Sequence, residues 1–325
     1  MKRLLLIVIL FLLPCSATPA QIYRVAEMNT ERIRALDKQK TVVLMPGGIL
    51  EQHGPYLPSY ADGYMNEWWT QELAEAIAAR PGWVVLVFPV IPLATSGAND
   101  IGGKHVFPGS YTVRPSTERA VFMDLASELG EQGFRWIFVM HNHGSPTHNL
   151  MLDQVGDFFR DVYKGRLVNL PGLLPKPTEP EPAITARERT EEGLFEVHAG
   201  MSETSRLLFL RPDLIPATYL GAKPFAANNP SEAFRLATAD DWPGYIGSPR
   251  LATAAYGAQL MRHSSSQYNA LALAILDGLD ERTITRFSGV AFNDKTIADI
   301  TTQAARHWAG IERKQSEWMK KRGVQ

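Results

Sequence analysis

The sequence contains very little cysteine and almost no net charge. Its 325 residues include one cysteine, Cys15, and carry a formal net charge of −1 at pH 7. A single cysteine excludes an internal disulfide, so the fold depends on its apolar core, with help from metal or oligomerisation. Because no sustained basic face is present, nucleic acid and anionic membrane surfaces are not expected as partners. The composition fits a small, neutral or mixed-charge substrate better.

Long apolar runs are also missing, apart from a short one at the N-terminus. Two basic residues precede an apolar run over residues 4–13, and small residues follow it. The run has about half the length that a bilayer span requires. This pattern predicts a signal peptide over residues 1–20, and hence a secreted or periplasmic protein with no stable membrane span after cleavage. A lipoprotein cleavage site at Cys15 is the competing interpretation, and the preceding Pro14 disfavours it.

The first half of the remaining chain alternates between strand and helix patterns. Apolar, β-branched runs predict buried strands over residues 41–45, 83–90 and 135–140. Amphipathic patterns after these runs predict helices over residues 64–80, 116–133 (with Ser116 as N-cap) and 149–163. Such alternation is typical of a parallel sheet covered on both faces. With no internal repeat, we predict a single α/β domain over residues 21–325, with a doubly wound, mainly parallel sheet and helices on both faces.

The second half gives weaker signals. The proline-rich stretch 173–184 predicts an exposed loop, and residues 212–239 show no clear pattern. A helix is expected to begin at Ser202 as its N-cap. Two further helices are predicted, one ending near residue 279 and one over residues 294–320.

Three candidate metal ligands follow the first predicted strand. Glu51 and His53 stand two residues apart, so on an extended segment they project from the same side. Glycines and prolines around them let the chain turn and bring Asp62 alongside. Carboxylate and imidazole ligands without a thiolate suit Zn²⁺ or Mn²⁺. Each residue alone has an ordinary explanation, such as a helix N-cap for Asp62, but together they indicate a metal site.

Two histidines follow the third predicted strand. Because ligand groups collect at the carboxyl ends of parallel strands, His143 is expected near Glu51 and His53. His141 stands two residues earlier, and either histidine could be the ligand while the other hydrogen-bonds to it or to a carboxylate. Ser145 beside His143 also suggests a serine hydrolase as an alternative function, although no Gly-x-Ser-x-Gly nucleophile elbow surrounds this serine.

A further pair lies at a predicted loop-to-helix junction. His198 and Glu203 are five residues apart and could reach a common centre. The ordinary alternative for Glu203 is a first-turn carboxylate favoured by the helix dipole. His148 is expected to be a helix-start residue rather than a ligand.

Together these motifs resemble the creatininase family of metal-dependent amidohydrolases. The matching segments are Gly-Gly-Ile-Leu-Glu-Gln-His-Gly-Pro-Tyr-Leu-Pro at 47–58 with Asp62, His-Val-Phe-Pro-Gly at 105–109, His-Gly at 143–144, His-Ala-Gly-x-x-Glu-Thr-Ser at 198–205, and Gly-Ser-Pro-Arg-Leu-Ala-Thr at 247–253. The first and fourth segments are specific, and the others are supportive.

The resemblance implies a two-metal centre of Zn²⁺ or Mn²⁺ in which Asp62 bridges the ions. Glu51 and His143 would complete one site, and His53 the other. Creatininase itself has a glutamate at the position of Ser145, and Glu203 is its natural replacement here. His198 matches the catalytic histidine of the family, and the resemblance assigns substrate binding to Ser96, His105 and Ser145. It also implies homo-oligomers, with a hexamer as the expected form.

The expected function is hydrolysis of a non-aromatic carbon–nitrogen amide bond, in a cyclic amide, a formamide or a small peptide. Metal-activated water would attack the carbonyl, and His198 would move a proton to the leaving nitrogen. Creatinine is a weaker expectation, because Leu194 and Phe195 stand where creatininase has a Trp-Asp pair. The alternatives are a catalytically altered secreted binding protein of the same fold and a serine hydrolase based on Ser145.

Overall fold

The computed structural model describes residues 21–324, and the predicted signal peptide with Cys15 lies outside them. Five parallel strands form one sheet in the order β1-β3-β2-β4-β5. They are β1 (Ile22–Arg24), β2 (Thr41–Pro46), β3 (Val84–Val87), β4 (Trp136–Met140) and β5 (Arg166–Asn169). The sequence pattern predicts the three inner strands. It misses both edge strands, because three or four residues are too short to show a period.

The described part of the chain contains ten α-helices. They are α1 (Thr30–Arg34), α2 (Ala61–Ala78), α3 (Pro115–Glu131), α4 (Pro146–Tyr163), α5 (Ala186–Glu192), α6 (Met201–Leu210), α7 (Pro230–Thr238), α8 (Ala254–Leu276), α9 (Phe287–Ala291) and α10 (Lys295–Arg322). Within residues 21–324, none of them has the length and apolar character needed to cross a membrane.

The two predicted serine N-caps are wrong. α3 begins one residue earlier, with Pro115 in its first turn and Arg114 as N-cap, because proline fits the start of a helix. α6 has Gly200 as N-cap. Ser202 lies inside that helix, where its hydroxyl donates to Glu196 at 2.7 Å.

Both faces of the sheet are buried. Consecutive side chains of β2 alternate between them, so Val42 and Leu44 enter one core while Val43 and Met45 enter the other. The first core includes Trp69, Leu73 and Ile77 of α2 and Met261 and Ile275 of α8; the second includes Phe122 and Leu129 of α3 and Leu152, Val155 and Phe159 of α4. The predicted doubly wound α/β fold is confirmed.

The direction of winding reverses at β2. From β2 the chain passes through α2 to β3 on one side, and from β3 it passes through α3 to β4 on the other side. The carboxyl ends of β2 and β4 therefore lie side by side, with Pro46 paired to Met140. Open parallel sheets bind ligands in the crevice at such a reversal.

Candidate metal centre

The loop after β2 carries Glu51 and His53 into this crevice. Its first residue, Gly47, donates its N–H to Met140 O at 2.9 Å. A Cβ at Gly47 would lie 2.0 Å from the ring of His141, so only glycine fits. Gly54 has a φ of 65°, which permits the turn that returns the chain towards α2.

Asp62 lies in the first turn of α2 and faces two histidines. Tyr60 is the N-cap of that helix, so the ordinary explanation of Asp62 as a cap is wrong. The Asp62 side chain is 3% exposed, and its Oδ2 lies 3.4 Å from His143 Nδ1. Its Oδ1 lies 3.5 Å from His53 Nε2. One buried carboxylate thus joins two imidazoles that belong to different loops.

His143 completes the first group of potential ligands. Its Nδ1 lies 3.3 Å from Glu51 Oε2 as well as 3.4 Å from Asp62 Oδ2. Its Nε2 donates to Ser96 O at 2.9 Å. Because a carbonyl oxygen can only accept, the proton sits on Nε2 and the lone pair of Nδ1 points at the carboxylates.

His53 has the same arrangement with its ring nitrogens exchanged. Its Nδ1 donates to Glu51 O at 3.0 Å, which directs Nε2 towards Asp62 and towards Glu203 Oε2 at 3.8 Å. This Nε2 is fully buried and has no hydrogen-bond partner among the described residues. A buried nitrogen without a partner is costly, and a cation between it and the two carboxylates would satisfy it.

The spacing of these atoms fits bound ions better than direct hydrogen bonds. The four nitrogen–oxygen separations run from 3.3 to 3.8 Å, longer than the roughly 2.7–3.2 Å of an ordinary N–H···O bond. Ligands at about 2.1 Å from a tetrahedral ion lie about 3.4 Å apart. The donor set is carboxylate and imidazole, which suits zinc and manganese.

The charges in this cluster also favour a cation. Burial raises the pKa of Glu51, but His143, His198 and His53 outweigh it and hold that pKa at about 2. Burial lowers the pKa of His53, whereas the neighbouring carboxylates of Asp62, Glu203 and Glu51 raise it to about 10. The carboxylates therefore need positive charge beside them, which either protons on the histidines or divalent ions can supply.

Larger groups of side chains show the same combination of carboxylates and imidazoles. Within residues 21–324, four sets of acidic and histidine side chains have ligand atoms within 4.8 Å of one another: Glu51–Asp62–His143, His53–Asp62–Glu203, Glu51–His53–His198 and Glu118–His141–His148. The first three share residues and form one connected cluster, which we call the metal centre.

His198 lies at the edge of the metal centre. Its ring packs on His53 with 4.3 Å between centroids, and its Nε2 donates to Gln52 O at 2.6 Å. Burial and the neighbouring His53 lower its pKa, so the ring is neutral at neutral pH. With Nε2 protonated, Nδ1 is the nitrogen that can accept a proton.

Two non-glycine residues beside the centre have backbone conformations in the left-handed region. Ser96, which orients His143, has a φ of 63°, and Ala199, next to His198, has a φ of 50°. Such conformations cost about 1–2 kcal/mol each and cluster at functional sites. Ala199 also donates its N–H to Glu203 Oε2 at 2.6 Å, which holds that carboxylate in the first turn of α6.

The two neighbouring histidines lie in different surroundings, and only His143 faces Glu51 and Asp62. His141 groups with Glu118 and His148 instead, and its ring packs on that of His148 with centroids 4.1 Å apart. His148, in the first turn of α4, donates from Nδ1 to Glu118.

Sequence reasoning overlooked Glu118, which is fully buried and whose pKa burial raises to about 7. A signal was available, since Glu118 stands four residues before Phe122 on the buried face of α3. The group of Glu118, His141 and His148 packs behind His143, with 5.3 Å between the rings of His143 and His148.

The predicted substrate-binding residues lie in different places. Ser96 and Ser145 line a cavity beside the metal centre. Ser145 is also the N-cap of α4, where its Oγ accepts from His148 N at 3.4 Å. His105 lies outside the lining of that cavity and hydrogen-bonds to Asp100 Oδ1 at 2.8 Å.

Comparisons with known proteins agree with the motifs. The sequence profile of the creatininase family, described as creatinine amidohydrolase, matches residues 26–271. A creatinine amidohydrolase of Pseudomonas putida is 24% identical over 68% of this chain and 84% of its own length. A mycofactocin precursor peptide peptidase of Mycolicibacterium smegmatis is 25% identical over 72% of this chain and 85% of its own.

A solved structure described as "Creatininase Mn" has the same fold. It superposes with a TM-score of 0.56 at 21% identity, covering 79% of this chain and 98% of its own. The family resemblance drawn from the motifs is therefore confirmed, and so is the expected enzyme class. The chain belongs to the creatininase family of amidohydrolases, which act on carbon–nitrogen bonds other than ordinary peptide bonds.

Proposed function

We propose that this protein hydrolyses the carbon–nitrogen bond of a small amide with the help of two divalent ions, Zn²⁺ or Mn²⁺. The observation that carries the proposal is the position of Asp62, whose two oxygens face the free nitrogens of His53 and His143 at 3.5 and 3.4 Å. A carboxylate in this position suits a bridge between two ions. Two such ions supply a nucleophilic water near neutral pH and polarise the substrate carbonyl.

The residues divide into two sites that share Asp62. Glu51 and His143 would hold the first ion, and His53 and Glu203 would hold the second. The Glu51 side chain is 2% exposed and its Oε1 accepts the N–H of Ala98, so its orientation is fixed. The Glu203 side chain is 22% exposed, and the second site is therefore the more open one.

His198 is placed for proton transfer to the leaving nitrogen. It lines the cavity beside the metal centre, and its Nε2 is already donating to Gln52 O. Its neutral ring can take a proton on Nδ1 and release it to the departing amine. A general acid of this kind contributes about 10² to 10⁴ in rate.

The substrate class is a cyclic amide, a formamide or a short peptide. One relative is a creatinine amidohydrolase and another is a peptide peptidase, so the shared chemistry is attack on an amide carbonyl. At the two positions where creatininase has a Trp-Asp pair, Phe195 lines the cavity with an apolar side chain, whereas Leu194 is 81% exposed and lies outside the lining.

The serine hydrolase alternative lacks support in the geometry. Both nitrogens of His143 face other groups, namely Ser96 O and the carboxylates of Glu51 and Asp62. Among the described residues, no hydrogen bond joins Ser145 to that ring. A binding protein without turnover stays as the second candidate, because Ser145 replaces a metal-binding glutamate of creatininase.

Elemental analysis with an amide screen tests the proposal. We expect two ions per chain, hydrolysis that a chelator abolishes, and loss of at least one ion in Glu51→Gln. We expect His198→Ala to keep its ions and to lose 10² to 10⁴ in kcat, while the exposed His263→Ala serves as its control. Retained metal together with retained hydrolysis in Glu51→Gln would refute the metal centre. Full metal occupancy without turnover on any amide would favour the binding protein.

We further propose that residues 1–20 are a signal peptide, that residues 21–325 form a secreted or periplasmic enzyme, and that it assembles as a homo-oligomer, with a hexamer expected. The N-terminal pattern of basic, apolar and small residues supports export. N-terminal sequencing of the exported protein and light scattering after gel filtration test these points. An intact N-terminus on a cytoplasmic monomer would contradict both.

A further inference from the structure

A cavity of about 350 Å³ lies over the metal centre. Glu51, Asp62, His143, His198 and Glu203 line its polar end. Its other walls are mainly apolar and include Phe195, Val197, Phe287, Ile297, Ile300 and Ala304. This volume falls within the range of about 300–1,000 Å³ that is typical of small-molecule sites.

One wall of this cavity comes from helix α10. The four residues of α10 that line the cavity are Ile297, Ile300, Thr301 and Ala304, whose spacing places them on one face of the helix. Phe287, at the start of α9, lies beside them. All five stand beyond residue 271, where the match to the family profile ends. This wall therefore lies outside the part of the chain that matches the family profile.

Several contacts hold α10 against the site. Near the start of the helix, the hydroxyl of Thr296 hydrogen-bonds to the hydroxyl of Ser231 in α7 at 3.2 Å. Further along, His307 stacks on His105 with 4.8 Å between centroids and 23° between planes. His105 in turn hydrogen-bonds to Asp100, which lines the cavity. The histidine of the 105–109 motif thus connects α10 to the segment beside the metal centre.

We propose that α9 and α10 form a selectivity wall, and that the substrate is an amide bearing a bulky aliphatic or aromatic group next to the scissile carbon–nitrogen bond. This inference rests on the proposed function. The metal centre needs only the amide group itself, and the remaining volume is enclosed largely by side chains that offer no hydrogen bonds. An apolar substituent is the group that gains free energy by entering such a space.

Two series of amides test the proposal on the metal-loaded full-length enzyme. One runs from acetamide to hexanamide, and the other from N-methylformamide to N-hexylformamide, so that the chain grows on either side of the scissile bond. We expect kcat/KM to rise about fourfold per buried methylene in at least one series. A flat or falling kcat/KM in both series would overturn the selectivity wall.

A matched pair of variants assigns the effect to α10. Ala304 is buried and faces the cavity, whereas Ala305 is exposed. We expect Ala304→Leu to reduce the ratio of kcat/KM for the longest and shortest amides at least tenfold, because leucine fills part of the cavity. Ala305→Leu should leave that ratio unchanged. Equal ratios in both variants and the wild type would overturn the role of α10.

The outcomes separate this inference from the proposed function. Metal-dependent turnover without any chain-length effect refutes the wall and leaves the amidohydrolase proposal intact. If no amide is hydrolysed, the proposed function fails, and calorimetry then tests the wall alone. Hexanamide should bind the metal-loaded wild type more tightly than acetamide does, and Ala304→Leu should remove this preference. Equal binding of both amides would overturn the wall.

Discussion

Replacing Asp62 by asparagine tests the bridging geometry most directly. The substitution keeps the shape of the side chain but removes its negative charge and one of the two oxygens that face His143 and His53 at 3.4 and 3.5 Å. Of the two groups that share Asp62, one would lose an oxygen ligand and the other would keep only a neutral amide oxygen. Loss of an indirect partner of a metal ligand already weakens binding by about 10- to 100-fold, so we expect at least about 100-fold weaker binding at both ions.

The weaker metal binding can be converted into a loss of folding stability. An ion present at 100 times its Kd stabilises the folded protein by about 2.7 kcal/mol, and a 100-fold weaker site leaves about 0.4 kcal/mol. We therefore expect the metal-dependent part of the free energy of unfolding to nearly disappear in Asp62→Asn. Glu203→Gln should lose only the contribution of the second ion, because Glu203 lies near His53 and not among the ligands of the first group.

Denaturant unfolding with and without added metal, together with elemental analysis, measures both quantities. Asp161→Asn is the matched control, since Asp161 is exposed near the C-terminal end of α4, whereas His143 precedes the start of that helix. We expect about two ions in the wild type and the control, about one in Glu203→Gln, and less than one in Asp62→Asn. If Asp62→Asn held one ion as tightly as the wild type does, or matched Glu203→Gln in occupancy, the shared-carboxylate geometry would be refuted.

Two further predictions concern stability. Burial and the charge of Glu192 raise the pKa of Glu196 well above its usual value, so the folded protein keeps a proton there that the unfolded chain has lost above about pH 4.5. The free energy of unfolding should fall by up to about 1.4 kcal/mol per pH unit as pH rises through that window. Glu196→Gln should flatten this slope in denaturant titrations, and equal slopes would contradict it. Gly47→Ala should cost about 1–3 kcal/mol because its Cβ overlaps His141. Gly289→Ala, which meets open space in α9, should be neutral or slightly stabilising in thermal melts, and a larger loss there would contradict the packing explanation.

Local patterns in the sequence predict much of the fold and part of the site. The alternation of β2 and the period of two between Glu51 and His53 follow directly from strand geometry. The position of Asp62 beside these two residues requires only one turn of the chain, at Gly54. These residues are close in sequence, so local backbone geometry decides where they point.

The choice between His141 and His143 depends on contacts that are distant in sequence. Both residues follow β4 and both have the same chemistry. His141 is turned away because Gly47 leaves room for its ring, and because His148 and Glu118 form a polar pocket behind the strand. No spacing rule within residues 135–145 contains that information.

Helix α10 shows a different limit of the sequence pattern. The spacing of Ile297, Ile300 and Ala304 indicates an apolar face but does not name the surface that this face meets. A face that closed a core would be expected to leave no space, since protein interiors are packed almost without voids. Here the face borders a cavity of about 350 Å³ whose far end is a cluster of buried carboxylates and histidines. An unfilled space of this size beside an apolar face lowers the stability of the fold. Binding of the proposed substrate in that space would offset this loss. The small side chain of Ala304 keeps that space open, because a larger residue would improve the packing but occupy the volume that the substrate needs.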